Sequence, residues 1–126
     1  GTILKKRFEL LTTDIIVKLI NMMSDSNSLI REAAVEAFES MAGNRPELIT
    51  TDIIVKLISI LSDNYSHVRQ AAVKAIGSIA EKRPELITTD IIVKFINMSN
   101  NSKYYIPRGA SAYLCEQVEG RKLCDK

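Results

Sequence analysis

Residues of the types that carry out catalysis are scarce in this chain. His67 is the single histidine among its 126 residues, and Cys115 and Cys124 are the two cysteines. A catalytic nucleophile with its base, or a metal site, needs several such groups close together. The spacing of the two cysteines fits no metal motif, and no glycine-rich phosphate loop is present. The sequence therefore predicts no catalytic residue, no cofactor and no bound metal, with His67 solvated or capping a helix.

The elements that position the other polar residues are set by one repeated segment. Thr-Thr-Asp-Ile-Ile-Val-Lys-Leu-Ile stands at 12–20, recurs at 50–58 and returns at 88–96 with phenylalanine in place of leucine. The step is 38 residues, and repeats of this length are typical of stacked helical units. One narrow polar stripe interrupts the apolar residues of each copy, which indicates a helix covered on more than one face.

Each repeat is predicted to hold two helices. The first begins at the repeated segment, where a threonine is available as the N-cap. The second covers about 28–44 in repeat 1 and 66–82 in repeat 2, and it ends before Pro46 or Pro84 because proline forces the preceding residue out of helical geometry. We predict a single domain over 1–126, made of residues 1–11, repeat 1 (12–49), repeat 2 (50–87) and a divergent C-terminal capping repeat 3 (88–126). Residues 1–11 are either the end of a preceding unit or an N-terminal capping helix, with Phe8 in place of the turn proline.

Helical periodicity divides the second helices into a buried and an outward face. The buried face is predicted to hold Ile30, Ala33, Ala34, Ala37, Phe38 and Met41, and in repeat 2 Val68, Ala71, Ala72, Ala75, Ile76 and Ile79. The outward face is predicted to hold Arg31, Glu32, Val35, Glu36 and Glu39, and in repeat 2 Arg69, Gln70, Val73, Lys74 and Ser78.

An aspartate in the turn and an arginine six residues later recur in repeats 1 and 2, as Asp25 with Arg31 and Asp63 with Arg69. With an apolar first helix and an alanine-rich second helix, this pattern resembles the HEAT repeat family over essentially the whole chain. The resemblance implies an all-α, right-handed α-solenoid of about three helix-turn-helix repeats. It also implies that the four residues form a structural ladder of hydrogen bonds along the stack.

Two departures from the HEAT pattern stand out. The proline that often kinks the first helix is absent, and valines lie near its place, so straighter helices are expected. Repeat 3 carries Asn101 and Pro107 where the ladder aspartate and arginine belong.

The second helices of HEAT proteins commonly line a concave surface that binds partners. The residues that the resemblance places on this surface here are Glu32, Val35, Glu36, Glu39, Gln70, Val73, Lys74 and Arg108. Their charge changes from acidic to basic along the array, and salt bridges between neighbouring repeats, such as Glu36 with Lys74, explain this as well as a polarised binding face does. The predicted function is a non-enzymatic scaffold or adaptor for protein–protein interaction. The alternatives are a HEAT-type lyase or enzyme subunit, or a weak nucleic-acid binder.

Composition limits the classes of partner and the cellular compartment that we expect for this protein. Seventeen basic against 15 acidic residues give a net charge of +2, which is too small for the strongly basic face expected of a nucleic-acid-binding protein. No apolar run reaches the roughly 18 residues of a membrane-spanning helix. Two thiols make no disulfide framework, so we expect reduced cysteines and a cytoplasmic protein.

The N-terminal end is the most apolar surface expected. Ile3, Leu4, Phe8, Leu10 and Leu11 precede a first helix that is itself apolar on most sides. An exposed apolar patch of this kind is unusual on a monomer. The sequence therefore predicts either a homodimer through the N-terminal end or its coverage by further repeats.

Overall fold

Helices joined by short turns make up residues 2–100, which are the residues that this computed structural model describes. The α-helices are α1 (Thr2–Met22), α2 (Ser28–Asn44), α3 (Thr51–Ile60), α4 (Ser66–Lys82) and α5 (Thr89–Ser99). No strand occurs within this range. The predicted all-α class is confirmed, and α1–α2 and α3–α4 are the helix-turn-helix units of repeats 1 and 2.

The boundaries between repeats follow from proline and threonine. Single 3-10 turns at Pro46–Leu48 and Pro84–Leu86 separate the second helix of one repeat from the first helix of the next. Thr50 then caps α3 by accepting a hydrogen bond from the Ile53 N–H at 3.4 Å, and Thr88 caps α5 in the same way. Each cap satisfies a backbone donor that the first helical turn leaves free, so the first helix starts afresh after every turn.

The first repeat departs from this scheme because α1 runs without a break from Thr2 to Met22. Residues 2–11 are therefore continuous with the first helix of repeat 1 and form its N-terminal half. Phe8 stands at the position that Pro46 and Pro84 occupy before repeats 2 and 3, and unlike proline it keeps its N–H and does not constrain the residue before it. Thr13 consequently lies inside the helix, where its hydroxyl donates to the Glu9 carbonyl at 2.9 Å.

The core is centred on repeat 2, where α4 packs against α2 and α3, and α3 also contacts α5. Ile53, Ile54 and Leu57 of α3 are fully buried, and all six residues predicted to line the inner face of α4 are buried as well. The main contact between repeats is α2 against α4. Ala75 and its small neighbours allow these helices to approach closely.

The buried face of α2 is rotated from the predicted one. Val35 and Ala42 are fully buried, whereas Ala33 is exposed. The reason is that α2 has only one neighbouring repeat among the described elements. Besides α1 and the following turn of its own repeat, α2 contacts α4 on the side of Val35, and no described element covers the side of Ala33. In α4 the equivalent of Ala33 is Ala71, which is buried because repeat 1 lies over it.

No helix within residues 2–100 combines the length and the hydropathy that a membrane crossing requires.

Candidate partner-binding surface

The turn of each repeat is organised by its aspartate. The Asp63 carboxylate accepts the Tyr65 N–H at 3.0 Å, and the Arg69 Nη1 donates to the Asp63 carbonyl at 2.7 Å. In repeat 1 the Asn27 N–H and the Arg31 Nη1 make the same two bonds to Asp25, at 2.9 and 2.7 Å. The aspartate-to-arginine spacing thus fastens the start of the second helix to its own turn.

Arg31 also reaches the next repeat. Its Nε and Nη2 donate to the two carboxylate oxygens of Asp63 at 2.7 and 3.1 Å, in a two-pronged ion pair. Only 13% of the Arg31 side chain and 7% of the Asp63 side chain are exposed. Burial of the Asp63 carboxyl opposes its ionisation, but the bonds from Arg31 and the Tyr65 N–H outweigh this and lower its pKa, while the same pair raises the pKa of Arg31.

The ladder residues at the two ends of the described array, Asp25 and Arg69, lack the ion pair that joins Arg31 to Asp63. Arg69 is buried, contrary to the outward position predicted for it, and its Nε has no hydrogen-bond partner within residues 2–100. At the other end, no salt bridge of the described residues involves Asp25. Asn101 and Pro107, which occupy the ladder positions of repeat 3, lie outside the described residues.

Two further bonds join repeat 1 to repeat 2. Lys56 Nζ donates to the Ser24 hydroxyl, and Arg83 Nη1 donates to the Pro46 carbonyl at 2.9 Å. Like the ladder bond, each of these bonds links a residue to one that lies about a repeat away in sequence, at separations of 32 and 37 residues.

Five of the eight predicted partner-binding residues line a cleft of ≈160 Å³ between α2 and α4. Its lining is Glu32, Glu36, Glu39, His67, Gln70, Ala71 and Lys74. Three carboxylates on α2 therefore face a histidine, an amide and an ammonium group on α4. The cleft is therefore acidic on its α2 side and carries an ammonium group on its α4 side.

Three other predicted residues are not part of this cleft. Val35 is fully buried, so its assignment to the partner surface was wrong, because α4 covers that side of α2. Val73 is partly buried against the core. Arg108 lies outside the described residues.

His67 is a cleft residue that the sequence reasoning missed. It is half-buried rather than solvated, its Nε2 has no hydrogen-bond partner among the described residues, and its ring lies 5.7 Å from that of Tyr65. It does not cap α4, whose N-cap position is occupied by Tyr65. The available signal was helical spacing, since residues 67, 70 and 74 fall on one face.

A larger cleft of ≈490 Å³ opens between α1 and the turn that precedes α3. Lys5 and Glu9 line it from α1, and Arg45 and Glu47 line it from the turn. It exists because α1 continues straight through Phe8, which the sequence reasoning did not anticipate. Neither cleft holds a metal constellation: residues 2–100 contain no group of three or more histidine, cysteine or acidic side chains placed to bind an ion.

Comparison with known protein families agrees with this geometry. A HEAT repeat model matches residues 15–44, and a HEAT-like repeat model matches residues 30–79. Together the matches span repeats 1 and 2 almost to the end of α4, including both aspartate–arginine pairs. No individual curated protein and no solved structure matches the chain. The repeat length, the paired helices, the Arg31–Asp63 bond and the two family matches lead to one conclusion: the chain belongs to the HEAT repeat family.

Proposed function

We propose that this chain is a non-enzymatic scaffold or adaptor, and that it binds another protein at the cleft between α2 and α4. HEAT repeats generally mediate protein–protein interaction. The observation that carries the proposal is the meeting of Glu32, Glu36 and Glu39 with His67 and Lys74 in a single cleft. We propose the cytoplasm as the site of this role, because the two cysteines have no spacing that suggests a disulfide framework.

The charges of this cleft are available to a partner. Salt bridging between repeats was the competing explanation for the charge pattern, yet Glu36 and Lys74 form no ion pair with each other in the described part of the chain. Glu36 and Lys74 are both exposed. Unpaired charges at the rim of an interface steer association and select partners by complementarity, so we propose a partner segment with basic residues over α2.

A charge-reversal experiment tests this. The double variant Glu32→Lys, Glu36→Lys changes the cleft, and the double variant Glu9→Lys, Asp14→Lys makes the same change of charge on exposed residues of α1. Tagged wild type and both variants are used to capture proteins from native lysate, and each protein retained by the wild type is then purified and its Kd measured. We expect the cleft variant to weaken a true partner by about tenfold or more and the α1 variant to leave it unchanged.

Retention of the same partners with the same Kd by both variants would contradict the cleft as the binding site. Far-ultraviolet circular dichroism and a urea titration of each variant establish that any loss of binding is not a loss of folding.

A further inference from the structure

Two large apolar side chains are exposed where the second helices begin. Leu29 is the second residue of α2 and Tyr65 is the N-cap of α4, and they are 67% and 51% exposed. Neither belongs to the hydrophobic core or packs against it as a partly buried residue, so burial does not explain an apolar residue at either place. We call the surface that carries Leu29 and Tyr65 the turn edge, because each residue lies beside the turn within its repeat.

The stability of α4 does not explain Tyr65 either. The equivalent residue one repeat earlier is Asn27, whose side-chain oxygen accepts the Leu29 N–H at 2.9 Å and so caps α2. Tyr65 makes no side-chain capping bond to α4. Asparagine is among the best N-cap residues because it satisfies a backbone donor of the first helical turn, and tyrosine forgoes that bond. Aromatic residues are enriched where proteins meet, and contact with another molecule accounts for a tyrosine at this place.

The Tyr65 ring is positioned by its neighbours without being covered by them. The Arg31 guanidinium carbon lies 5.8 Å from the ring centroid, and the ring of His67 lies 5.7 Å away. Arg31 is itself anchored by its two bonds to Asp63. A cation within about 6 Å attracts the face of an aromatic ring, so the ring is oriented in advance. It therefore has little conformational freedom left to lose when a partner packs on its exposed part.

The turn edge is continuous with the α2–α4 cleft. His67 joins the two, because it lies beside the Tyr65 ring and also lines the cleft. On α2, Leu29 precedes Glu32 by three residues, and residues at this spacing are neighbours on a helix surface. Exposed apolar surface therefore borders the acidic side of the cleft.

We propose that the turn edge and the cleft together bind one segment of a partner protein. The segment places a large apolar side chain on the turn edge and a basic side chain over the acidic side of the cleft. The basic residue follows from charge complementarity with the α2 carboxylates, and the apolar residue follows from the exposed Leu29 and Tyr65. This inference rests on the function proposed for the cleft and adds the apolar half of the partner's sequence.

The geometry of α2 sets the spacing of the two side chains in the partner. At 1.5 Å per residue, the level midway between Glu32 and Glu36 lies about 7.5 Å along the helix from Leu29. Two residues of an extended chain span about 6.6 Å, and their side chains point to the same side. An extended partner segment is therefore expected to carry its apolar and basic residues about two positions apart.

Peptide selection on the full chain tests this sequence preference. Random peptides displayed on phage are selected on the wild-type protein, and the enriched peptides are synthesised with a fluorescein label. Fluorescence anisotropy at several salt concentrations gives the Kd of each peptide. We expect the enriched peptides to carry arginine or lysine about two positions from a leucine, isoleucine or aromatic residue.

Tyr65→Asn tests the turn edge without weakening the fold. It removes the ring and supplies the cap that Asn27 provides in repeat 1, so the Tm should stay within about 3 °C of wild type. The Kd of the enriched peptides should rise by about tenfold, with an unchanged dependence on salt because no charge is altered. Leu29→Ala should raise the Kd in the same way. Val55→Ala is the matched control on the outer side of α3, where a 52% exposed apolar residue is truncated, and it should leave the Kd unchanged.

The double variant Glu32→Lys, Glu36→Lys separates this inference from the proposed function. It should raise the Kd and also reduce its dependence on salt, because it removes the charges that attract the basic residue. If this variant weakens binding while Tyr65→Asn and Leu29→Ala do not, the inference is overturned and the function proposed for the cleft stands. If only the two turn-edge variants weaken binding, or if none of the variants does, both are overturned.

Two other results would also overturn the inference. One is a selection that yields no binding peptide, or peptides without the basic and apolar residues at this spacing. The other is self-association of the wild type in sedimentation that Tyr65→Asn abolishes, since the turn edge is then occupied by a second copy of this chain.

Discussion

Arg31 and Asp63 are 32 residues apart in sequence and form a two-pronged ion pair across the boundary between repeats 1 and 2. Each partner is also fixed within its own repeat, Arg31 by the Asp25 carbonyl and Asp63 by the Tyr65 N–H. Because the geometry is held from both sides, little side-chain entropy remains to be lost when the pair forms. The bond therefore couples the register of the two units as well as their stability.

Asp63→Asn should destabilise the protein by about 2–4 kcal/mol, because it leaves the nearly buried Arg31 guanidinium without its counter-charge. Asparagine retains an oxygen for the Tyr65 N–H, so the loss reports on the ion pair rather than on the turn. The loss of stability is measured as the difference in unfolding free energy between wild type and Asp63→Asn, from urea titrations at pH 7. Asp25→Asn is the matched control and should cost no more than about 0.5 kcal/mol; equal costs at the two sites would show that the ladder bond contributes nothing.

The same pair predicts a pH dependence. The pKa of Asp63 is lowered in the folded state from an ordinary value of 3.8. A lowered pKa means that the unfolded chain binds the proton more readily, so the contribution of Asp63 is complete above that ordinary value and is lost as the pH falls through the folded pKa. The difference in unfolding free energy between wild type and Asp63→Asn should be constant between pH 5 and 7 (about one pH unit or more above the transition) and should shrink below pH 4. A difference in unfolding free energy that stays constant down to pH 2.5 would show that ionised Asp63 does not contribute this stability.

Ile53→Ala and Ile15→Ala compare one residue in identical sequence surroundings. Ile53 is fully buried and its truncation should cost about 2–5 kcal/mol. Ile15 is half-exposed, and its truncation should cost less than about half as much, since most of the apolar area lost is already in contact with water. The free energies of unfolding of the two variants, from urea titrations, decide the point, and similar losses would mean that Ile15 is covered in solution.

Val35→Ala tests the corrected position of Val35. The side chain is fully buried, so its truncation should cost about 1–3 kcal/mol. Val55, which is 52% exposed on α3, serves as the control and should lose no more than about 0.5 kcal/mol on the same change. Unfolding by urea gives both values. If Val35→Ala leaves the free energy of unfolding unchanged, Val35 is exposed in solution.

Gly43→Ala should stabilise the protein. Gly43 lies inside α2, is exposed, and an added Cβ would meet no atom within 4 Å. Alanine lowers the entropy of the unfolded chain and favours the helix by about 0.5–1 kcal/mol. A rise in Tm is the expected result, and a fall would reveal a contact at this position in solution.

The sequence by itself determined the local structure of this protein. Proline at 46 and 84 and threonine at 50 and 88 placed the boundaries of α3 and α5, because their effects on the backbone act over only a few residues. The periodicity of the second helices located α2 and α4, and it placed five of the seven residues that line the α2–α4 cleft on the outward face of these helices. That this face lines a partner-binding surface followed from the resemblance to HEAT repeats and not from spacing. The replacement of proline by Phe8 was visible too, although its consequence, an unbroken α1, was not drawn.

Only the tertiary structure decided which faces are covered. Ile15 and Ile53 occupy the same place in their repeats, as do Ala33 and Ala71, yet the first member of each pair is exposed and the second is buried. Periodicity defines the direction in which a side chain points along its own helix, but burial depends on whether another repeat lies in that direction. In a stacked array each unit has two such neighbours, one on either side, and an identical sequence is therefore buried in the middle of the stack and exposed at an uncovered face.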